Sequence, residues 1–139
     1  MNDNINPDET PSPHGSLHGT VLLIDDEEHL RVAVVDILSY ENMEVITAAE
    51  GQKGIHLFRA HSEELCLVLL DLSMPDLGGE EVYGALRQID ADVPIVVSSG
   101  YSKSEVARRF AGIDWSAFMQ KPYDMNTLLD VVRQHSRQV

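Results

Sequence analysis

Leu65 to Glu81 reads LCLVLLDLSMPDLGGEE, and the rest of the fold can be worked out from it. Leu67, Val68, Leu69 and Leu70 form an apolar run with no polar break. Such a run fits a strand buried on both faces, as in a parallel sheet covered by helices. It stops at Asp71, and a turn-rich segment follows with Pro75 and the pair Gly78-Gly79. A carboxylate at the carboxyl end of a central parallel strand stands where open α/β sheets place their ligands. Alone, Asp71 reads as a surface loop aspartate. The other strand ends change that reading.

Upstream, Val21 to Ile24 is a second apolar run, ending in Asp25-Asp26. The period then changes: Leu30, Ala33, Val34, Ile37 and Leu38 recur at helical spacing, with Arg31, Asp36 and Glu41 off the stripe. Asn42 can stop that helix in a left-handed conformation. Glu44 to Ala48 reads as a strand, and Gly51 opens a second helix with Ile55 and Phe58 inward, running to about His61. Downstream, Val82, Ala85, Leu86 and Ile89 mark a third helix. Pro94 precedes an apolar strand, Ile95 to Val97, that runs into Ser98-Ser99-Gly100-Tyr101. Val106, Ala107 and Phe110 carry a weaker helical pattern, and Trp115 to Gln120 reads as a fifth strand ended by Lys121-Pro122. Asp124 is an N-cap candidate for a last helix that buries Leu128, Val131 and Val132.

Strand and helix thus alternate five times, and the short connections favour right-handed crossovers in one parallel sheet with helices on both faces. All strand carboxyl ends then share an edge. That edge collects Asp25 and Asp26 from the first strand, Asp71 from the third, Ser99 from the fourth and Lys121 from the fifth.

A length of 139 residues suits one domain, and 43% hydrophobic residues suffice for a packed core. Ten Lys and Arg stand against 23 Asp and Glu, a formal charge of −13 that repels phosphate backbones and argues against direct nucleic-acid binding. The lone Cys66 lies inside the apolar run and reads as a core thiol. No run reaches membrane-spanning length and the N-terminus is not signal-like, so a cytoplasmic protein is expected. Residues 1–19 are polar, with His14 and His18, and read as a disordered arm or linker; residues 20–139 form the expected domain. Few residues follow the last helix, so no DNA-binding module is expected after it.

Three carboxylates cannot crowd together without a counter-charge. A hard divalent cation such as magnesium is the simplest remedy, since it takes oxygen ligands and uses one or two carboxylates plus a phosphate oxygen. Lys121 adds a fixed positive charge and Ser99 a hydroxyl donor. Together they are what phosphoryl transfer to a carboxylate needs, with Asp71 as the nucleophile between the acidic pair and the Ser/Lys side.

The motifs LLIDDEEHLR, LVLLDLSMPDLGGEE, PIVVSSGYS and AFMQKPY, in that order, resemble those of the receiver domains of two-component response regulators. The resemblance covers roughly Thr20 to Arg137. It implies a flavodoxin-like doubly wound sheet of strand order 2-1-3-4-5. It also implies that Asp71 accepts a phosphoryl group from a histidine kinase or a histidine phosphotransfer protein. Asp26, Asp71 and the backbone carbonyl of Ser73 would bind magnesium directly, and Asp25 through water. Lys121 would contact the phosphoryl oxygens across a cis Lys121-Pro122 bond. Ser99 and Phe118 would be the switch pair, remodelling the face built by the fourth helix, fifth strand and fifth helix. Magnesium-dependent self-phosphorylation from a phosphodonor and autodephosphorylation are implied, rather than classical enzyme turnover. A monomer or weak dimer is expected. SSGYS and AFMQKPY most resemble receivers at the C-terminus of hybrid sensor kinases. Two features depart or vary. Gly54 stands where Ala is common, which should weaken the second helix slightly; Ser73 and Tyr101 occupy positions that tune dephosphorylation in the family.

Each residue also has a plainer reading. Asp25-Asp26 alone suits a helix-capping acidic pair, Lys121 a surface lysine, Phe118 a core ring, and Glu27 and Glu28 first-turn helix acids, with Glu27 near enough to influence a metal. A haloacid-dehalogenase type phosphatase shares the chemistry but carries its nucleophile after the first strand in a DxD pattern, which this chain lacks. A pseudo-receiver would lack part of the site.

Overall fold

The computed structural model describes residues 19–139, so all of the polar arm but Gly19, with His14 and His18, lies outside the described residues. Ten elements alternate along the chain: β1 (Thr20–Ile24), α1 (Glu28–Ser39), β2 (Glu44–Ala48), α2 (Gly51–His61), β3 (Leu65–Asp71), α3 (Gly79–Ile89), β4 (Ile95–Ser99), α4 (Lys103–Arg109), β5 (Ala117–Gln120) and α5 (Met125–His135). The strands pair in parallel in the order β2-β1-β3-β4-β5. Every residue of β3 is buried, as its unbroken apolar run requires of the central strand.

Alternate strand residues feed two cores, because side chains alternate across a sheet. Leu22, Ile24, Val68, Leu70, Ile95 and Val97 meet Phe58 of α2, Val82 and Leu86 of α3 and Val106 of α4. Val21, Leu23, Leu67, Leu69 and Val96 meet Val34 and Leu38 of α1 and Leu128 and Val132 of α5. Cys66 is a fully buried thiol in this second core. Helices cover both faces, so each strand's carboxyl end opens at the same rim.

Helix ends follow local chemistry. Asn42 takes φ +64°, and Met43 N–H and Asn42 N–H donate to the carbonyls of Leu38 and Ser39 at 3.1 Å each, the paired bonds of a Schellman stop. Asp124 caps α5 by accepting from Thr127 N–H at 2.8 Å. The α2 end is capped from a distance: the Asp76 carboxylate, in the loop after β3, accepts from Gly51 N–H at 2.8 Å and Gln52 N–H at 3.4 Å. That contact ties the loop carrying Asp71's neighbours to the helix beside it. Burial pushes the Asp76 carboxyl up, but the backbone N–H groups of Leu77, Gly51 and Gln52 together outweigh it and hold the carboxyl below the usual carboxylate range.

Three expectations shift. β5 begins at Ala117 rather than Trp115, because its ladder to β4 spans only Val96–Ser99 against Ala117–Gln120. In α4, Val106 is buried but Ala107 is exposed and Phe110 lies just past the last turn, so its apolar stripe is a single residue wide. Ala33 of α1 is also exposed.

Gly54 has a packing reason. A Cβ there would stand 2.5 Å from Cδ1 and 2.8 Å from Cγ1 of Ile24, which is fully buried. Helix propensity alone favours Gly54→Ala by about 1 kcal/mol. Overpacking against Ile24 costs about 1–3 kcal/mol and decides the sign. Gly54→Ala should therefore lower the denaturant midpoint, and Ile24→Val in the same chain should recover part of the loss. A midpoint that rises in Gly54→Ala contradicts this packing argument.

Candidate functional site

The rim at the strand carboxyl ends gathers the residues named from sequence. Asp25 follows β1, Asp71 ends β3, Ser99 ends β4 and Lys121 follows β5. The sheet register fixes their spacing: Asp71 is level with Ser98, and Ser99 with Gln120. Two backbone bonds extend the ladder past the strand ends, from Leu72 N–H to Ser98 O at 3.0 Å and from Lys121 N–H to Ser99 O at 2.7 Å. Pro122 joins Lys121 through a cis peptide, as the resemblance implied.

Asp25, Asp26 and Asp71 each offer a carboxylate oxygen, and these oxygens lie within 4.8 Å of one another. Asp25 and Asp71 are buried, and Asp26 is exposed. Opposite them the Lys121 ammonium lies 2.9 Å from Asp25 Oδ2 and 3.3 Å from Asp71 Oδ2, and it also donates to the Glu27 carboxylate. Asp71 Oδ1 accepts from Ser73 N–H at 3.0 Å, and Asp25 Oδ1 from Glu27 N–H at 2.9 Å. Arg31 Nη1 donates to the Asp25 carbonyl at 2.9 Å and braces the turn that carries the acidic pair. The Ser99 hydroxyl is fully buried, accepts from Tyr101 N–H at 3.0 Å and lies 3.5 Å from the Ser73 hydroxyl.

The electrostatics are strained in a consistent direction. Burial pushes the Asp25 carboxyl above the usual carboxylate range, although Glu27 N–H and Lys121 pull it back. Burial also pushes up Asp71, and the neighbouring charge of Asp25 adds to the rise. Burial pulls the Lys121 ammonium down, but Glu27, Asp25 and Asp71 outweigh it and raise its pKa. Asp25 Oδ2 is at ion-pair distance from Lys121 yet accepts no hydrogen bond. A buried carboxylate oxygen with an unfilled lone pair, beside two more carboxylates, is a donor set for a hard divalent cation.

Around this group lies an open cleft of about 1110 Å³. Asp26, Asp71 and Lys121 line one end, and Tyr101, Arg109 and Phe110 line the other. Tyr101 is held there by the Arg109 guanidinium, 4.4 Å from its ring centroid. Phe118 is level with Val97, half-buried, and packs on the core beside Trp115 at 6.0 Å between ring centroids.

Two further side chains join the site. Glu27 is the residue before α1 rather than part of its first turn, and its side chain makes no cap hydrogen bond. It reaches instead to Lys121, 94 residues away in sequence. Its place directly after the Asp pair was the available signal. Tyr123 is the other, and its place two residues after Lys121 is the one signal of it in the sequence. It lines the cleft, and burial raises its hydroxyl, with the charge of Asp25 adding to that.

A parallel sheet of this order with an acidic cluster and a lysine at its carboxyl rim defines the phosphoacceptor signalling class. Residues 21–133 match the model of the response regulator receiver domain, and the chain belongs to that family. It is 31% identical over 115 residues to the response regulator ArlR of Staphylococcus aureus, across 81% of this chain and 50% of that protein. The chain therefore spans about half the length of these curated relatives. Among solved structures, the chemotaxis protein CheY4 of Vibrio cholerae superposes with a TM-score of 0.77 at 23% identity, over 86% of this chain and 99% of that one. The receiver domain of the hybrid histidine kinase CckA gives 0.71 at 25% identity, over 86% of this chain and all of that one. Among the described residues, no helix is long and apolar enough to cross a membrane.

Proposed function

We propose that residues 20–139 act as a cytoplasmic receiver unit in which Asp71 accepts a phosphoryl group from a phosphohistidine on a histidine kinase or phosphotransfer protein. The observation that carries this reading is the Asp71 carboxylate itself, buried at the end of the central strand between the Asp25/Asp26 pair and the Lys121 ammonium. An Asp71 oxygen attacks phosphorus in line. The P–N bond breaks, and its electron pair stays with the imidazole nitrogen, which takes up a proton. Lys121 draws the phosphoryl oxygens from one side, and the Ser99 hydroxyl donates from another. Asp26, Asp71 and the Ser73 carbonyl would hold magnesium directly and Asp25 through a water. When bound, the ion offsets the crowded carboxylates and the charge on the transferring oxygens. Water attack on the same phosphorus later restores Asp71.

In the switch, Ser99 turns from Tyr101 N–H toward the new phosphoryl oxygens, and Phe118 follows into the space vacated. The face of α4, β5 and α5 is remodelled for a protein partner. The likeness to the CckA receiver supports a place beside a hybrid kinase.

The test is direct. Protein treated with a phosphorylated histidine kinase or a small phosphodonor and magnesium should carry one acyl phosphate, mapped to Asp71. Asp26→Ala should lower magnesium affinity at least about tenfold. A modification mapped to another residue, or unchanged magnesium affinity in Asp26→Ala, overturns these assignments.

A further inference from the structure

Lys121 is already committed before any phosphoryl group arrives. Three carboxylates surround its ammonium, which donates hydrogen bonds to Glu27 and Asp71 and stands at ion-pair distance from Asp25. Asp25 Oδ2 is at 2.9 Å, Asp71 Oδ2 at 3.3 Å, and the Glu27 carboxylate accepts a third contact. Acylation takes the charge off the Asp71 oxygen, and to follow that charge out to the phosphoryl oxygens the ammonium must loosen its hold on Asp25 or Glu27.

The three partners are not equal. The side chains of Asp25 and Asp71 are 1% and 2% exposed, whereas that of Glu27 is 60% exposed. Once Asp71 is acylated, Asp25 is the buried carboxylate that remains, and releasing it leaves a charge uncompensated away from water, which is costly. Releasing Glu27 returns it to solvent, and exposed ion pairs contribute little. Glu27 is also free to move: it precedes α1, caps nothing through its side chain, and its backbone N–H is separately anchored on Asp25 Oδ1 at 2.9 Å.

We infer that Glu27 is a positioning residue that holds Lys121 in the phosphoryl-free state and is the partner exchanged for a phosphoryl oxygen when Asp71 is modified. This rests on Asp71 being the acceptor, as proposed above. Glu27 touches no reacting atom and acts only through Lys121. Its contact opposes the transfer, because it must break as charge develops on the phosphoryl oxygens. Removing it should raise the rate at saturating donor and leave the half-saturating donor concentration unchanged.

Glu27→Gln is the variant, with Glu28→Gln as a control that removes the same charge one residue further on. The first readout needs no metal and no donor: nitrogen-detected NMR of the Lys121 ammonium in lysine-labelled protein. Proton exchange there should speed up by about threefold in Glu27→Gln, the scale of one exposed ion pair, and not in Glu28→Gln. The second readout is phosphorylation by acetyl phosphate with magnesium, where the saturating rate should rise by a similar factor in Glu27→Gln only. Unchanged ammonium exchange in Glu27→Gln overturns the clasp. Faster exchange with an unchanged rate on a phosphorylated Asp71 overturns the hand-over. Equal rate gains in both variants would reduce the effect to net charge and overturn it too. If the parent chain takes no phosphoryl group on Asp71, the acceptor assignment itself fails, and the hand-over with it.

Discussion

Asp71→Asn should take no phosphoryl group from any donor, and in the absence of metal it should be more stable than the parent chain. The first half follows from chemistry: the amide oxygen is a poor nucleophile and cannot form the acyl phosphate. Fluorescence of Trp115, the single tryptophan, reports the second consequence, since its ring packs beside Phe118. A phosphodonor or a beryllofluoride complex with magnesium should change that signal in the parent chain and leave it flat in Asp71→Asn. A retained response would place the acceptor elsewhere.

The stability half follows from linkage. Burial and the Asp25 charge raise the Asp71 pKa in the folded state. A carboxyl with a raised folded pKa binds its proton more tightly when folded, so stability falls as pH climbs from the unfolded value toward the folded one, and it stays lower above that. Asparagine keeps the shape without the charge. The melting temperature of Asp71→Asn should thus exceed the parent's by a few degrees at neutral pH, roughly what 1 kcal/mol produces in a domain of this size. The gap should close toward pH 4, where the parent's carboxyl also becomes neutral. A gap that widened on acidification would contradict the burial argument. Asp76 and Asp90, with lowered pKa values, lose their contributions in both proteins on acidification and so cancel in the difference.

Much of this was legible in the chain because both periodicities are clean. The four strand runs that end in charged or hydroxyl residues placed the rim, and β3's unbroken Leu67 to Leu70 placed its centre. What sequence could not supply was direction at the surface. Glu27 reads as a helix acid, and only the folded rim, where Lys121 after β5 reaches across to the turn after β1, shows where its carboxylate points. Gly54 looked like a weak point in a helix because propensity is local, whereas the Ile24 side chain that excludes a Cβ comes from another element. Trp115 carries strand-like composition, but ladder length depends on the partner strand, and β4 ends the pairing at Ala117.

Lys121→Met is the reciprocal of Asp71→Asn and should move both observables the other way or further. The ammonium is the counter-charge for two buried carboxylates, and its side chain is only 14% exposed. Methionine keeps most of the length and none of the charge. Removing one partner of a buried pair is costly because the charge left behind is uncompensated; here the open cleft admits water, so a loss of about 2–3 kcal/mol at neutral pH is expected. Asp25 and Asp71 would then hold protons even more readily, so the loss should shrink as pH falls toward 4, where both become neutral. A divalent cation should recover much of the stability, because it also offsets the carboxylates. It should not recover the phosphorylation rate. The residues proposed to hold the cation lie on the Asp26 side of Asp71, and among the described residues Lys121 is the one cation at ion-pair distance from Asp71, so a rate loss of about a hundredfold or more should persist at saturating magnesium. Denaturation midpoints at pH 4 and pH 7.5, with and without magnesium, together with acyl phosphate formation, separate the two roles. If magnesium restored rate and stability alike, Lys121 would be only a structural counter-ion, and its place in the transfer step would have to be given up.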